Sequence, residues 1–122
     1  MSRIALLITG LVAAVALVVP SAGIGMEQAT KLVGTTGPGF TITLKKAGVK
    51  VKTLKAGKYT IIVKDKSKAH NFRLKGPGLN KRITSLAFKG TKTVTVTLKV
   101  GKYIYQCDPH VALGMKHSFR VT

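Results

Sequence analysis

Residues 91–121 read Thr91-Lys92-Thr93-Val94-Thr95-Val96-Thr97-Leu98, Lys99-Val100-Gly101, Lys102-Tyr103-Ile104-Tyr105-Gln106, Cys107-Asp108-Pro109-His110-Val111-Ala112-Leu113-Gly114-Met115, Lys116-His117, Ser118-Phe119-Arg120-Val121, and this stretch decides the fold. Three of its runs alternate β-branched or aromatic residues with polar ones, the period-2 pattern of half-buried strands. Val100-Gly101 marks the turn between the first two. A loop rich in Gly, Pro and small residues separates the last two. Tyr103, Tyr105 and Cys107 share one parity, so if Tyr105 faces the core, the thiol at the strand's end points inward.

Working toward the N-terminus, residues 40–44 (Phe-Thr-Ile-Thr-Leu) alternate, residues 58–63 (Lys-Tyr-Thr-Ile-Ile-Val) are β-branched, and residues 71–74 (Asn-Phe-Arg-Leu) alternate before the turn Gly76-Pro77-Gly78. Six or more short strands punctuated by turn residues predict an all-β sandwich. Residues 26–38 contain glycines and no clear period, and are expected to be a flexible N-terminal segment ahead of a domain spanning 39–122.

The loop after the second strand carries the chemistry. Cys107, His110 and Met115 offer a thiolate, an imidazole and a weak thioether, the donor set that favours a copper centre for one-electron transfer once a second histidine joins it. His70, in Lys68-Ala69-His70-Asn71-Phe72, can supply that histidine; His117 is the only other one in the chain. Cys107 would bind as thiolate and the histidines as neutral rings, which ties metal affinity to pH. Pro109 restricts the backbone beside His110. Two bland alternatives stand beside this reading: a buried cysteine that only packs, and a methionine that only fills the core.

These residues resemble the cupredoxin family of small blue copper proteins, in the pattern of plastocyanins and amicyanins. The family pairs an upstream His-Asn, here His70-Asn71, with a Cys-x-Pro-His segment and an axial Met, here Cys107-Asp108-Pro109-His110 and Met115. The resemblance spans about residues 40–122 and implies a Greek-key β-sandwich holding one type 1 copper ion through His70, Cys107, His110 and Met115. It also implies that Asn71 links the two ligand loops, that Tyr103 forms a tyrosine corner, and that electrons pass through the exposed edge of His110 within an apolar rim, for which Pro77, Leu79, Val111, Ala112 and Leu113 are candidates. Gln106 stands where plastocyanins carry a surface tyrosine. The family does not use the position of His117, which is read as structural or surface.

At the N-terminus, Arg3 precedes an apolar run over residues 4–19 and then Pro20-Ser21-Ala22-Gly23-Ile24-Gly25, the organisation of a secretory signal over residues 1–25, helical and cleaved, or retained as an anchor. The expected location is therefore the periplasm, the cell envelope or the secreted fraction. An exported chain with a single cysteine has no disulfide, and metal ligation would protect that thiol.

Lysine and arginine number 21 against 3 acidic residues, and loss of Arg3 with the leader takes the net charge from +18 to about +17. Such a surface attracts anions. Without an arginine-rich helix or a recognised motif, nucleic acid is excluded as the expected partner. An acidic redox protein is favoured, with an anionic membrane or envelope polymer as further candidates and a monomer as the expected state.

Two function classes follow: a mobile one-electron carrier, and a copper-binding protein for trafficking or sequestration. The full Cys-His-His-Met set favours the carrier. An enzyme is not expected, since catalytic copper needs an open position or a second metal centre and the sequence offers no spare ligand cluster.

Overall fold

A computed structural model of the chain describes residues 28–122. The signal expected over residues 1–25, with its helix, lies outside the described residues. Among those described, the strands are β1 (Thr30–Thr36), β2 (Ile42–Lys46), β3 (Val49–Lys50), β4 (Thr53–Leu54), β5 (Gly57–Asp65), β6 (Phe72–Gly76), β7 (Leu79–Thr84), β8 (Gly90–Leu98), β9 (Gly101–Gln106) and β10 (Lys116–Val121). They build two five-stranded sheets, ordered β3-β2-β1-β5-β8 and β4-β10-β9-β6-β7. Strands distant in sequence lie side by side, β1 with β5 and β6 with β9, so the chain crosses repeatedly between the sheets and closes an all-β sandwich.

The alternation read from the sequence places the core. Leu32, Leu44, Ile61 and Val63 from the first sheet meet Phe72, Leu74, Tyr103, Tyr105 and Phe119 from the second, all buried. Phe72 stacks on Tyr105 with ring centres 5.7 Å apart, and Tyr103 stacks on Phe119 at 5.5 Å. Tyr103 makes the expected corner: its hydroxyl donates to the Pro77 carbonyl at 2.7 Å and accepts the Lys99 N–H at 3.0 Å. Tyr59 is also buried, its hydroxyl donating to Lys55 O at 2.6 Å.

One expectation is corrected. Residues 30–36, read as part of a flexible segment outside the domain, form β1, an interior strand paired antiparallel to β2 and parallel to β5 over its whole length. The sandwich therefore begins at Thr30 rather than at residue 39. The physical reason is Gly34: a Cβ there would come within 2.9 Å of the Phe72 ring, so the strand needs glycine where the hydrophobic pattern needs a branched residue. The edge strand β7 was hidden for a different reason. Only Ile83 and Thr84 of its six residues are buried, and Asn80, Lys81 and Arg82 are exposed and polar, as edge strands tend to be.

The registers define two ends of the sandwich. Thr36, Ile42, Asp65, Phe72, Thr84, Gln106 and Lys116 cluster at one, the ligand end; Thr30, Lys46, Gly57, Gly76, Gly101 and Val121 mark the other, the far end.

Candidate metal centre

Loops from both sheets meet at the ligand end. After β5, Asp65 Oδ1 accepts the Ser67 N–H at 3.1 Å, Ser67 Oγ accepts the Ala69 N–H at 3.1 Å, and Ser67 O accepts the His70 N–H at 3.2 Å. These tight turns curl the segment so that the His70 side chain is buried, 4% exposed. Gly37, at φ +73°, lets the β1–β2 loop lie against that imidazole; a Cβ there would stand 3.0 Å from His70 Cδ2.

The second loop closes on itself. Pro109 starts a 3-10 turn over Asp108–Leu113, and Gly114, in the left-handed region at φ 91°, ends it. The His110 N–H donates to Cys107 O at 3.1 Å, the Met115 N–H to His110 O at 3.3 Å, and the Cys107 N–H to Met115 O at 3.0 Å. Cys107 and Met115 are thereby held side by side, both fully buried.

His70, Cys107 and His110 converge, their ligand atoms all within 4.8 Å of one another. His110 Nδ1 lies 2.9 Å from His70 Nδ1 and 3.4 Å from Cys107 Sγ, and His70 Nδ1 lies 3.7 Å from the same sulfur. Bonds of about 2.0–2.3 Å to one ion place neighbouring N and S donors about 3.3–3.8 Å apart. The two N–S edges fit. The N–N edge is that of a hydrogen bond between one protonated and one bare ring nitrogen, and an ion replacing the proton needs it wider by a few tenths of an ångström. A soft thiolate with two imidazoles and a buried thioether alongside fits a single type 1 copper site.

Burial pushes the Cys107 thiol pKa up, opposed by the Asn71 and His110 N–H groups. Asp108 behaves in the opposite sense: burial alone would raise it, but Arg73, Gln106 and Asn71 as donors hold its carboxyl at about 2. Arg73 Nε reaches both carboxylate oxygens at 3.0 Å and Nη2 reaches Oδ2 at 3.0 Å, while Gln106 Nε2 donates to Oδ1 at 3.0 Å. Asn71 links the two ligand loops as expected, with Oδ1 accepting the Asp108 N–H at 2.7 Å and Nδ2 donating to Asp108 Oδ2 at 2.9 Å.

Sequence reasoning missed Arg73, Gln106 and Asp108 as the clamp on this loop, and missed Phe40. The Phe40 ring stands edge-on to His110 at 5.0 Å and to His70 at 6.1 Å, and is 57% exposed. His110 itself is half-buried. The apolar rim needs correction: Pro77 and Leu79 sit at the far end, where Pro77 bonds Tyr103 and would meet a Cβ at Gly101. Exposed Phe40, Leu113 and Ala112 and half-buried Val111 remain at the ligand end. His117 stays outside the three-residue cluster, its ring 5.7 Å from that of Tyr105; burial and then the Lys50 charge lower its pKa.

The model of the copper binding proteins of the plastocyanin/azurin family matches residues 42–122. Among solved structures, reduced rusticyanin superposes with a TM-score of 0.57 at 18% identity, covering 80% of this chain and 82% of that one. Rusticyanin from Thiobacillus ferrooxidans gives 0.51 at 23% identity over 80% and 79%. Dithionite-reduced auracyanin from Roseiflexus castenholzii gives 0.53 at 23% identity over 79% and 99%. No curated protein matches the chain significantly by sequence.

Proposed function

Since this chain belongs to the plastocyanin/azurin family of copper-binding proteins, we propose that it is an exported carrier of single electrons whose one copper ion would be held by His70, Cys107, His110 and Met115. The observation that carries this reading is the convergence of Cys107 Sγ with the Nδ1 atoms of both histidines at one buried point. Copper bound there supplies a cupric/cuprous couple. The chain's part is to hold the donors still. The backbone bonds among Cys107, His110 and Met115 and the Asp108 clamp fix the donors against displacement, which limits reorganisation when charge changes.

His110 is the exit. Its ring is half-buried and flanked by Phe40, whereas His70 is enclosed. The role is a carrier's rather than a catalyst's, and the apolar leader at residues 4–19 supports export. Addition of cupric ion to the purified protein should produce an intense visible thiolate-to-copper band, and Cys107→Ser should abolish it even where copper still binds. A colourless copper adduct of the unmutated protein would overturn the proposal.

A further inference from the structure

We infer that the far end of the sandwich and the adjoining β3–β4 flank form a docking surface for an anionic phospholipid bilayer, with Lys31, Lys46, Lys50, Lys52 and Lys55 set around the point where the chain enters β1. All five lysines are exposed. They line three adjoining shallow hollows of about 380, 520 and 390 Å³ that share Lys46, and Thr30 lines two of them. Val49, 69% exposed, stands among the lysines, an apolar side chain beside ammonium groups of the kind that suits a headgroup boundary.

The arrangement is costly to the fold itself. Lys45 and Lys50 are direct cross-strand partners between β2 and β3, and like charges placed opposite one another destabilise a sheet pair. No Asp or Glu side chain described at this end offsets them. Asp65 and Asp108, the described carboxylates, both lie at the ligand end, and Asp108 is already bound by Arg73; Glu27 lies outside the described residues. An anion from outside is what the cluster fits.

The sequence before β1 selects the bilayer as that anion. Residues 4–19 carry no charge, and only the ten positions 20–29 separate them from Thr30. Ten residues reach at most about 35 Å. Held in a bilayer, that run would keep the far end facing the lipid surface, where each lysine gains from anionic headgroups. The strands that reach from this end to the other are up to nine residues long, about 30 Å, so His110 and Phe40 would point away from the membrane toward a diffusing partner.

The full-length chain is tested on phosphatidylcholine vesicles with and without phosphatidylglycerol, using acylation of lysine amines read by mass spectrometry together with co-sedimentation. On anionic vesicles, Lys46, Lys50, Lys52 and Lys55 should become several-fold less reactive, while Lys66, Lys68 and Lys89 at the ligand end stay reactive. The combined Lys46→Glu, Lys50→Glu, Lys52→Glu and Lys55→Glu variant should lose the preference for anionic over neutral vesicles by at least about tenfold. A control carrying Lys64→Glu, Lys81→Glu, Lys89→Glu and Lys92→Glu, with the same change in net charge, should keep most of it. Near-UV circular dichroism, which does not need copper, checks that both variants fold. Equal losses in the two variants, protection centred on the ligand end, equal protection on neutral vesicles, or equally strong binding to soluble polyphosphate would each overturn the inference.

Discussion

Cys107 illustrates how one side chain can be read from its surroundings. Burial raises its thiol pKa, so the metal-free protein holds that proton at neutral pH, and copper must displace it to gain a thiolate. The histidines divide by position: His70→Ala and His110→Ala should each open the site and shift or erase the visible band, whereas His117→Ala, outside the cluster, should leave the copper spectrum nearly unchanged. Asp108 yields a pH prediction. Its folded pKa of about 2 lies below the ordinary carboxylate value, so the stability it contributes is present above about pH 4 and is lost as pH falls through 2. Asp108→Asn should therefore lower stability at neutral pH by about 1–2 kcal/mol, after allowance for solvent screening, and should make the acid limb of denaturation shallower between pH 4 and 2, measured by chemical unfolding across that range.

Among the elements, β9 does most of the positioning, carrying Tyr103 at one end and Cys107 just beyond the other. Tyr103→Phe removes the donor to Pro77 O and strands the Lys99 N–H, at about 1–3 kcal/mol, but acts at the far end. Its Tm should fall while the copper spectrum stays as it was. Gly34→Ala in β1 drives a methyl into Phe72, whose ring cannot yield because it is stacked on Tyr105, and overpacking of this kind costs about 1–3 kcal/mol. The same glycine explains the limits of the sequence reading. β5, β8, β9 and β10 were legible because their inward positions carry large apolar residues at strict alternation. β1 was not, since close sheet approach required a small residue inside it. The ligands were legible because donor chemistry restricts which residue types can serve. Arg73, Gln106 and Phe40 were not, because nothing in an arginine, a glutamine or a phenylalanine announces which distant loop it will touch.

On the scale of the whole molecule, the described acidic side chains and the lysine cluster around the entry to β1 occupy opposite ends. The described carboxylates and the exposed Phe40 and Leu113 gather around His110, and the densest lysines lie some 30 Å away by strand length. Encounter with an acidic redox partner would then be steered by lysines bordering the ligand end, Lys66, Lys68 and Lys89, and completed by apolar contact over His110. The two stages leave separate signatures. Lys66→Glu with Lys68→Glu should slow association and flatten its dependence on ionic strength, since screening acts only on the long-range part. Leu113→Asp should instead weaken close docking with the copper band unchanged, because Leu113 is 58% exposed and its side chain contributes nothing to the buried donors. Phe40→Ala tests the same face from the other loop and should lower the transfer rate with a smaller effect on salt dependence, because it removes an apolar contact and no charge. Stopped-flow oxidation by an acidic partner across a salt series measures all three. A rate indifferent to salt and to both apolar-face substitutions would place the electron's exit elsewhere than His110, while leaving the copper site itself intact.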